Sequence, residues 1–552
     1  MQAAPGYDRP GLPDRRSHPC RHSRPDGTSG KDTTQTLRPS ADLLLCNANV
    51  LTLDPAKPRA AAVAIRGDRI LLVGGDDDIQ PLKGPHTRVI DCHGKAVIPG
   101  FEDAHCHPLA LAASLLSVDC GPLSVRSIGD LISRIHERAS STPAGEWIRA
   151  TGYHEFYLRE KRHPNRWELD QATSDHPVKL SHRSGHACVL NSLGLERLGI
   201  SSETPEPPGS IIERDLATGE PNGILFEMNS YVESRMPPLT DQEMDRGMAL
   251  ANQLLLSHGI TSIQDASWAN SQQRLRLLGH FRQEGTCFPR VSMMIGTDDL
   301  QEFASTGLTT GSNLGNGVRL GAVKMVLQTA TGHLSPSQED LDWLVSTAHQ
   351  AGFQLAIHAV EQNEVEAAVN ALEYALSQAP RTGHRHRLEH CSVCPPRLVR
   401  RLAGIQAVIV TQPGFIYYSG ERYLATVPAS DLEWLYPIGS LTREGLVVAA
   451  GSDAPVSPPS PLVGIEAAVT RTAETGQVVL EREAVGRVEA LKMYTWNAAY
   501  ASFEEREKGR IAAGNLADLV VLSADPTQVP SKEIESTEVL MTIIGGEVAW
   551  QR

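Results

Sequence analysis

Eight apolar runs of strand length, most of them separated by helical patterns, constrain this chain more than any other feature. In order they are "VIPGFEDAH", "GITSIQDAS", "RVSMMIG", "LGAVKMVL", "FQLAIHAV", "RLEHCSV", "QAVIVTQP" and "LVVAAGSDAP". Runs that stay apolar along their length suit strands buried on both faces, as in a parallel sheet. The clearest helix lies in "NEVEAAVNALEYALSQ", where Val365, Ala368, Val369, Leu372 and either Ala375 or Leu376 share one face. Eight strand–helix repeats imply an α/β fold, a (β/α)8 TIM-like barrel.

The rest of the chain surrounds that barrel. Residues 41–98 contain "DLLLCNANVLTLD", "AAVAIRGDRILLVGG" and "RVIDCHGKAVIPG", β-rich runs broken by Gly-containing turns. Residues 501–552 have the same texture in "GRIAAGNLADLVVLSADP" and "VLMTIIGGEVAWQR". The two ends are expected to meet in one small β-sandwich domain. Residues 99–500 hold the barrel, and far more chain separates its first two strands than one helix needs. Residues 140–240 therefore read as an inserted subdomain, with loop and hairpin chemistry in "SHRSGHACVLNS" and "GSIIERDLATGEPNGILFE". Residues 1–40 are rich in Arg, Pro, Ser and Asp and lack the apolar centre of a signal peptide, so a disordered tail is expected.

Composition narrows the partners. The formal net charge of -14 argues against nucleic acid, which needs clustered Lys and Arg to neutralise phosphate. No apolar run is long enough to span a bilayer, and no membrane partner is expected. Nine cysteines at irregular spacing suit a reducing, cytoplasmic setting better than a disulfide framework. Cys391 and Cys394 form one CxxC without a second pair or a thioredoxin-like context, so no metal or redox role is assigned to them. A small molecule is the expected partner, and a homodimer is an open assembly state.

In a parallel barrel the active site forms at the C-terminal ends of the strands. The first run ends in His105 and His107, whose i, i+2 spacing on a strand turns both imidazoles to one side. The fourth carries Lys324, the fifth ends with His358, the sixth with His390 and the eighth with Asp453. Each alone has an ordinary reading: a satisfied polar residue, a cap, a buried ion pair. Together, four His, one Lys and one Asp at one end of five strands are the ligand types of a metal centre.

These residues resemble those of the amidohydrolase superfamily, in particular the branch of YtcJ-like metal-dependent amidohydrolases (amidohydrolase family 3) that includes N-substituted formamide deformylase. The resemblance covers residues 41–552 and rests on "PGFEDAHCHP", "HRSGHACVLNS", "TGEPNGILFE", "HGITSIQDAS", "GAVKMVL", "LAIHAVEQNEV", "RLEHCSV", "GSDAPV", "MYTWNAAYASFEE" and "KGRIAAGNLADLVVLSADP". It implies that His105, His107 and Asp453 hold one metal, usually Zn2+, and that His358 and His390 hold a second. Lys324 would bridge the two as a carbamate, since an ammonium cannot ligate a cation. One or two Zn2+ ions, or another divalent metal, are the implied cofactor. Asp103 belongs to the same fingerprint and is expected to orient a ligand. One departure is the loop after Lys324, "KMVLQTATGHL", where Gln328 and Thr329 replace the acidic residue usual in relatives.

The implied chemistry is hydrolysis of a C–N bond in a small amide or formamide by metal-activated water, within hydrolases of non-peptide C–N bonds (EC 3.5, most simply 3.5.1). Asp453 would move the proton from water to the leaving nitrogen, with His390 and His358 assisting at the carbonyl. Arg183 and His186, and Tyr153 with His154 and Glu155, are candidate substrate contacts; the same residues could equally stitch the insert to the barrel. Trp496 and Asn497 are expected to pack. A cyclic-amide hydrolase or deaminase of the same superfamily, and a non-catalytic scaffold, are the competing readings.

Overall fold

A computed structural model of the chain describes residues 40–552 apart from 288, 316, 330 and 331. The expected N-terminal tail, and Cys20 within it, lie outside the described residues.

All eight expected barrel strands are present: β1 (Phe101–Cys106), β2 (Ile260–Asp265), β3 (Arg290–Gly296), β4 (Val318–Val326), β5 (Leu355–Ala359), β6 (Arg387–His390), β7 (Val408–Thr411) and β8 (Val447–Ala450). They pair in parallel in chain order from β1 to β8. The ring is drawn together at the mouth, where Asp453 N donates to His105 O (2.7 Å) and His107 N to Ala454 O (2.9 Å). Gly451 makes that approach feasible: a Cβ there would fall 2.5 Å from His105 N.

The strands are buried because helices cover them. Helix Gln362–Gln378 buries Val365, Ala368, Val369, Leu372 and Ala375, the face expected from its periodicity. Each Leu or Val so buried contributes about 1.5–3 kcal/mol. Its start is capped by Glu364, whose carboxylate accepts from Val360 N (2.8 Å) and Glu361 N (3.1 Å).

Both chain ends enter one sheet. Strand Leu519–Leu522 pairs antiparallel with Ala96–Pro99 on one side and with Val539–Ile544 on the other. A second sheet built from Ala41–Cys46, Ala62–Arg66, Arg69–Gly74 and Lys83–Asp91 packs on it through Leu43, Ile65, Val97, Leu519 and Ile543. Ala96–Pro99 leads into β1, so this domain fixes where the first barrel strand begins.

The insert forms a six-stranded sheet of its own, from Val118–Asp119 to Pro221–Phe226. It begins earlier than the 140 expected. The apolar face of helix Ile128–Ala139, formed by Ile128, Leu131 and Ile135, packs on the insert sheet with Ile148, Val178 and Val189. Within the sheet, Val178–His182 and Ala187–Leu190 form an antiparallel hairpin. Its tip, residues 183–186, reaches the barrel mouth.

Candidate metal centre

His105, His107 and Asp453 place their ligand atoms within 4.8 Å of one another. Asp453 Oδ1 lies 3.0 Å from His107 Nε2 and 3.5 Å from His105 Nε2. The opposite nitrogen of each ring is already engaged. His105 Nδ1 makes a short hydrogen bond to Glu389, and His107 Nδ1 meets Ser267 Oγ at 3.0 Å. A proton on His105 Nδ1, donated to that carboxylate, leaves the Nε2 lone pair facing a second carboxylate. Two acceptors aimed at each other in a buried site are unfavourable unless a cation lies between them. Two imidazole nitrogens and a carboxylate oxygen also suit zinc and its neighbours. The residues present therefore fit a divalent transition metal.

The remaining expected ligands line the same cavity. The His390 ring centroid is 4.8 Å from that of His105 and 4.4 Å from that of His358. His390 Nδ1 donates to Gln412 Oε1 (2.7 Å), which turns its Nε2 lone pair to the mouth. Lys324 is 4% exposed and opens on the cavity beside His358 and His390. Strand register sets these heights, with Val326 opposite His358 and Ala359 opposite His390. His390 and Asp453 both have left-handed backbones (φ 67 and 57), an uncommon conformation for residues other than glycine and one that collects at functional sites.

Burial dominates the electrostatics. It pushes His105 and His358 well below the ordinary imidazole range and lowers His390, so these rings are neutral and able to ligate. It lowers Lys324 to about 8, close enough to neutrality for a free amine to be available. Burial alone would raise Asp453, but the hydrogen bond from His107 and the nearby imidazoles hold its carboxyl well below the usual range.

Several bracing residues are absent from the sequence-derived set. Glu389 is fully buried, holds His105, and is itself held by Arg387 Nε at 2.5 Å. Arg387 also donates to Ala104 O (2.7 Å) and to Gln264. The signal was "RLEH", a strand whose charged residues alternate within an otherwise apolar barrel. Asp103 acts on backbone rather than on an imidazole. Its Oδ1 accepts from His105 N (3.2 Å) and Ser452 N (2.9 Å), and its Oδ2 from Ser452 Oγ (2.5 Å). It thereby sets the turn that carries Asp453, and burial pushes its carboxyl up to about 6.

The hairpin brings Arg183 and His186 to the cavity wall. Arg183 Nε donates to Val456 O (2.7 Å) and its guanidinium lies over the Tyr418 ring at 5.8 Å. His186 Nδ1 meets Glu227 at 2.9 Å, and its ring lies 6.4 Å from that of His358. Gln328, in the departing loop, donates to the same Glu227 (3.2 Å). Tyr153 is placed elsewhere: it is fully buried in the insert core, with its hydroxyl on His163 Nδ1 (3.0 Å). A register shift between Thr151 and Tyr153 causes this. Strict alternation would have put Tyr153 with Arg149 and Thr151 on the cavity side. Asn497 ties the helix Trp496–Ala501 to β8 through Val448 O (2.8 Å). Cys391 and Cys394 are buried free thiols in the barrel core.

Comparison with known proteins agrees with this geometry. The sequence profile of the amidohydrolase family matches residues 88–549. The chain belongs to the amidohydrolase family. It is 30% identical over 541 residues to the N-substituted formamide deformylase of Arthrobacter pascens, covering 93% of this chain and 98% of the relative. It is 26% identical over 520 residues to YtcJ of Bacillus subtilis (strain 168), covering 90% and 96%. In three dimensions it resembles an uncharacterized metal-dependent hydrolase from Pyrococcus horikoshii OT3, with a TM-score of 0.71, 23% identity, and coverage of 89% of this chain and 99% of that one. Among the described residues, no helix of this amidohydrolase is long and apolar enough to cross a membrane.

Proposed function

We propose that this amidohydrolase cleaves the C–N bond of a small N-substituted amide, of formamide type, at the barrel mouth. The observation that supports this most is the pair His105 and His107, whose Nε2 atoms face one oxygen of Asp453 inside a cavity shared with Lys324, His358 and His390. The relative from Arthrobacter pascens, a formamide deformylase by name, points to the same bond.

His105, His107 and Asp453, with His358, His390 and a carbamate on Lys324, would hold one or two divalent ions, Zn2+ by donor type. Such an ion supplies the acidification of water from ~15.7 towards ~7 and the polarisation of a carbonyl oxygen. Asp453 takes the proton of the attacking water and returns it to the departing nitrogen, which leaves as an amine. Glu389 keeps His105 in one tautomer, and Asp103 keeps the Asp453 turn in place. Arg183 and His186 meet the substrate from the hairpin, and Glu227 steadies His186. The cavity, about 1950 Å³, is larger than the ~300–1,000 Å³ usual for small-molecule sites, which suits a bulky N-substituent.

The test is a screen of N-substituted formamides, N-acyl amines, cyclic imides and amino-heterocycles. Formate with amine from the first class supports the reading. Ammonia from the heterocycles, or ring opening of the imides, would replace it with the deaminase or cyclic-amide reading. No turnover together with substoichiometric metal would favour a scaffold.

A further inference from the structure

Lys179, Arg183 and His186 line the cavity from the insert hairpin. Two of them face a carboxylate. Lys179 Nζ lies 2.9 Å from Glu233 Oε1, and His186 Nδ1 lies 2.9 Å from Glu227 Oε1. Arg183 faces none among the described residues. Its Nε donates to Val456 O (2.7 Å), and its two terminal nitrogens have no hydrogen-bond partner among the same residues. Burial lowers it from the ordinary guanidinium range. The groups that act on its charge are the phenols of Tyr157, Tyr423 and Tyr418 and the guanidinium of Arg422.

The side chain is nevertheless held in place. Arg183 N donates to Tyr153 O (2.9 Å), which fixes the start of the hairpin tip. Nε is tied to Val456, and the guanidinium lies over the Tyr418 ring at 5.8 Å. These contacts secure one edge of the guanidinium and leave its fork of terminal nitrogens to the cavity. Such a fork matches the two coplanar oxygens of a carboxylate. Water serves it in the free protein. A neutral molecule filling the cavity displaces that water and strands a charge, whereas an anionic one replaces it.

The same anchor sets the distance to the reacting bond. Val456 N donates to Asp453 O (2.8 Å), so the two residues close one turn, in which their Cα atoms lie within about 7 Å. One small molecule can therefore reach both Asp453 and Arg183.

We propose that Arg183 determines specificity and that the substrate is an N-acyl amino acid, whose carboxylate docks on the Arg183 fork while its amide meets Asp453. This rests on the proposed amide cleavage and narrows it: the N-substituent ends in a carboxylate. Water adds its oxygen to the acyl carbon, the C–N bond breaks, and the amino acid's nitrogen takes the proton. Arg183 binds and orients, and moves no proton.

Two probes of one shape test this: racemic N-formylphenylalanine and its carboxamide, N-formylphenylalaninamide. Calorimetry on the full-length Asp453→Asn protein, with and without added Zn2+, reads binding without turnover. The acid is expected to bind about 10–100-fold more tightly than the amide. Adding Arg183→Met removes that preference by weakening the acid alone. Arg183→Lys restores part of it, because an ammonium keeps the charge and loses the fork. In the otherwise unaltered chain, Arg183→Met raises KM for the acid and leaves kcat; a merely structural role would impair both probes alike. The proposal is overturned if the acid binds no more tightly than the amide, a comparison that needs no Arg183 variant to fold, or if the preference survives Arg183→Met. Failure of the amide-cleavage reading looks different: the acid preference depends on Arg183, yet the unaltered chain releases formate from neither probe.

Discussion

The barrel mouth and the insert each gather two imidazoles around one carboxylate oxygen, but they surround them differently. At the mouth, His105 is 1% exposed as a side chain and is backed by Glu389 and Arg387, which are equally buried. In the insert, Glu155 is 30% exposed, and no buried carboxylate backs its partners His154 and His182 among the described residues. The first arrangement sets the buried His105 lone pair against a carboxylate, a pairing that a cation between them would relieve. In the second, His182 Nδ1 accepts from Ser184 N (3.2 Å) and its Nε2 donates to Glu155 (2.9 Å), so protons satisfy it without a cation. Burial of the bracing groups, more than donor type, separates the two.

The largest effect should come from removing the proton carrier. Asp453→Asn is expected to lower kcat by about 10²–10⁴-fold or more with metal still bound, as read by steady-state kinetics beside elemental analysis. Near parental activity would break the assignment of that role. Next, Glu389→Gln should weaken metal binding at the mouth by about 10–100-fold in competition with a chelator, because His105 loses the group that sets its tautomer. An unchanged affinity would mean that burial of the brace does not matter. Third, His182→Gln should raise KM more than it lowers kcat, since it loosens the hairpin and leaves Asp453 in place; a fall in kcat alone would contradict this.

The smallest effect concerns pH. Burial alone would raise the Glu155 carboxyl, but the hydrogen bond from His182 and the adjoining His154 ring hold it below its ordinary range. Its contribution to stability is therefore present above the unfolded carboxylate pKa of ~4.3 and fades as the pH falls below that value. In metal-free protein, Glu155→Gln should lower Tm by about 1–2 °C at neutral pH. The gap should close on acidification; a gap that widened instead would put the insert's carboxylate in the wrong charge state.

The sequence disclosed the barrel because its strands are apolar over their whole length, and it disclosed the residues that gather at the mouth because they lie at the ends of those strands. Lys324 and His358 could be placed from local pattern alone. Glu389 could not be linked to His105, because that contact joins β1 to β6 across the barrel interior. The start of the insert was hidden for a related reason. Helix Ile128–Ala139 is amphipathic, and periodicity shows that a face is buried without showing against which sheet. Tyr153 was misplaced by a single bulge, which reversed an alternation that the sequence does not mark. His154, Glu155 and His182 were each visible, but not their convergence, which depends on two strands pairing in parallel.

The strand Leu519–Leu522 has a consequence for how the molecule is made. It is the neighbour of Ala96–Pro99, the segment from which β1 emerges. During synthesis that edge stays unpaired until the ribosome has added Leu519–Leu522, a wait of tens of seconds at roughly 5–20 residues per second. The anchor of β1 thus arrives long after β1 itself. A chain truncated before Leu519 would leave the apolar edge of Ala96–Pro99 open just before β1, a surface prone to pairing with other chains.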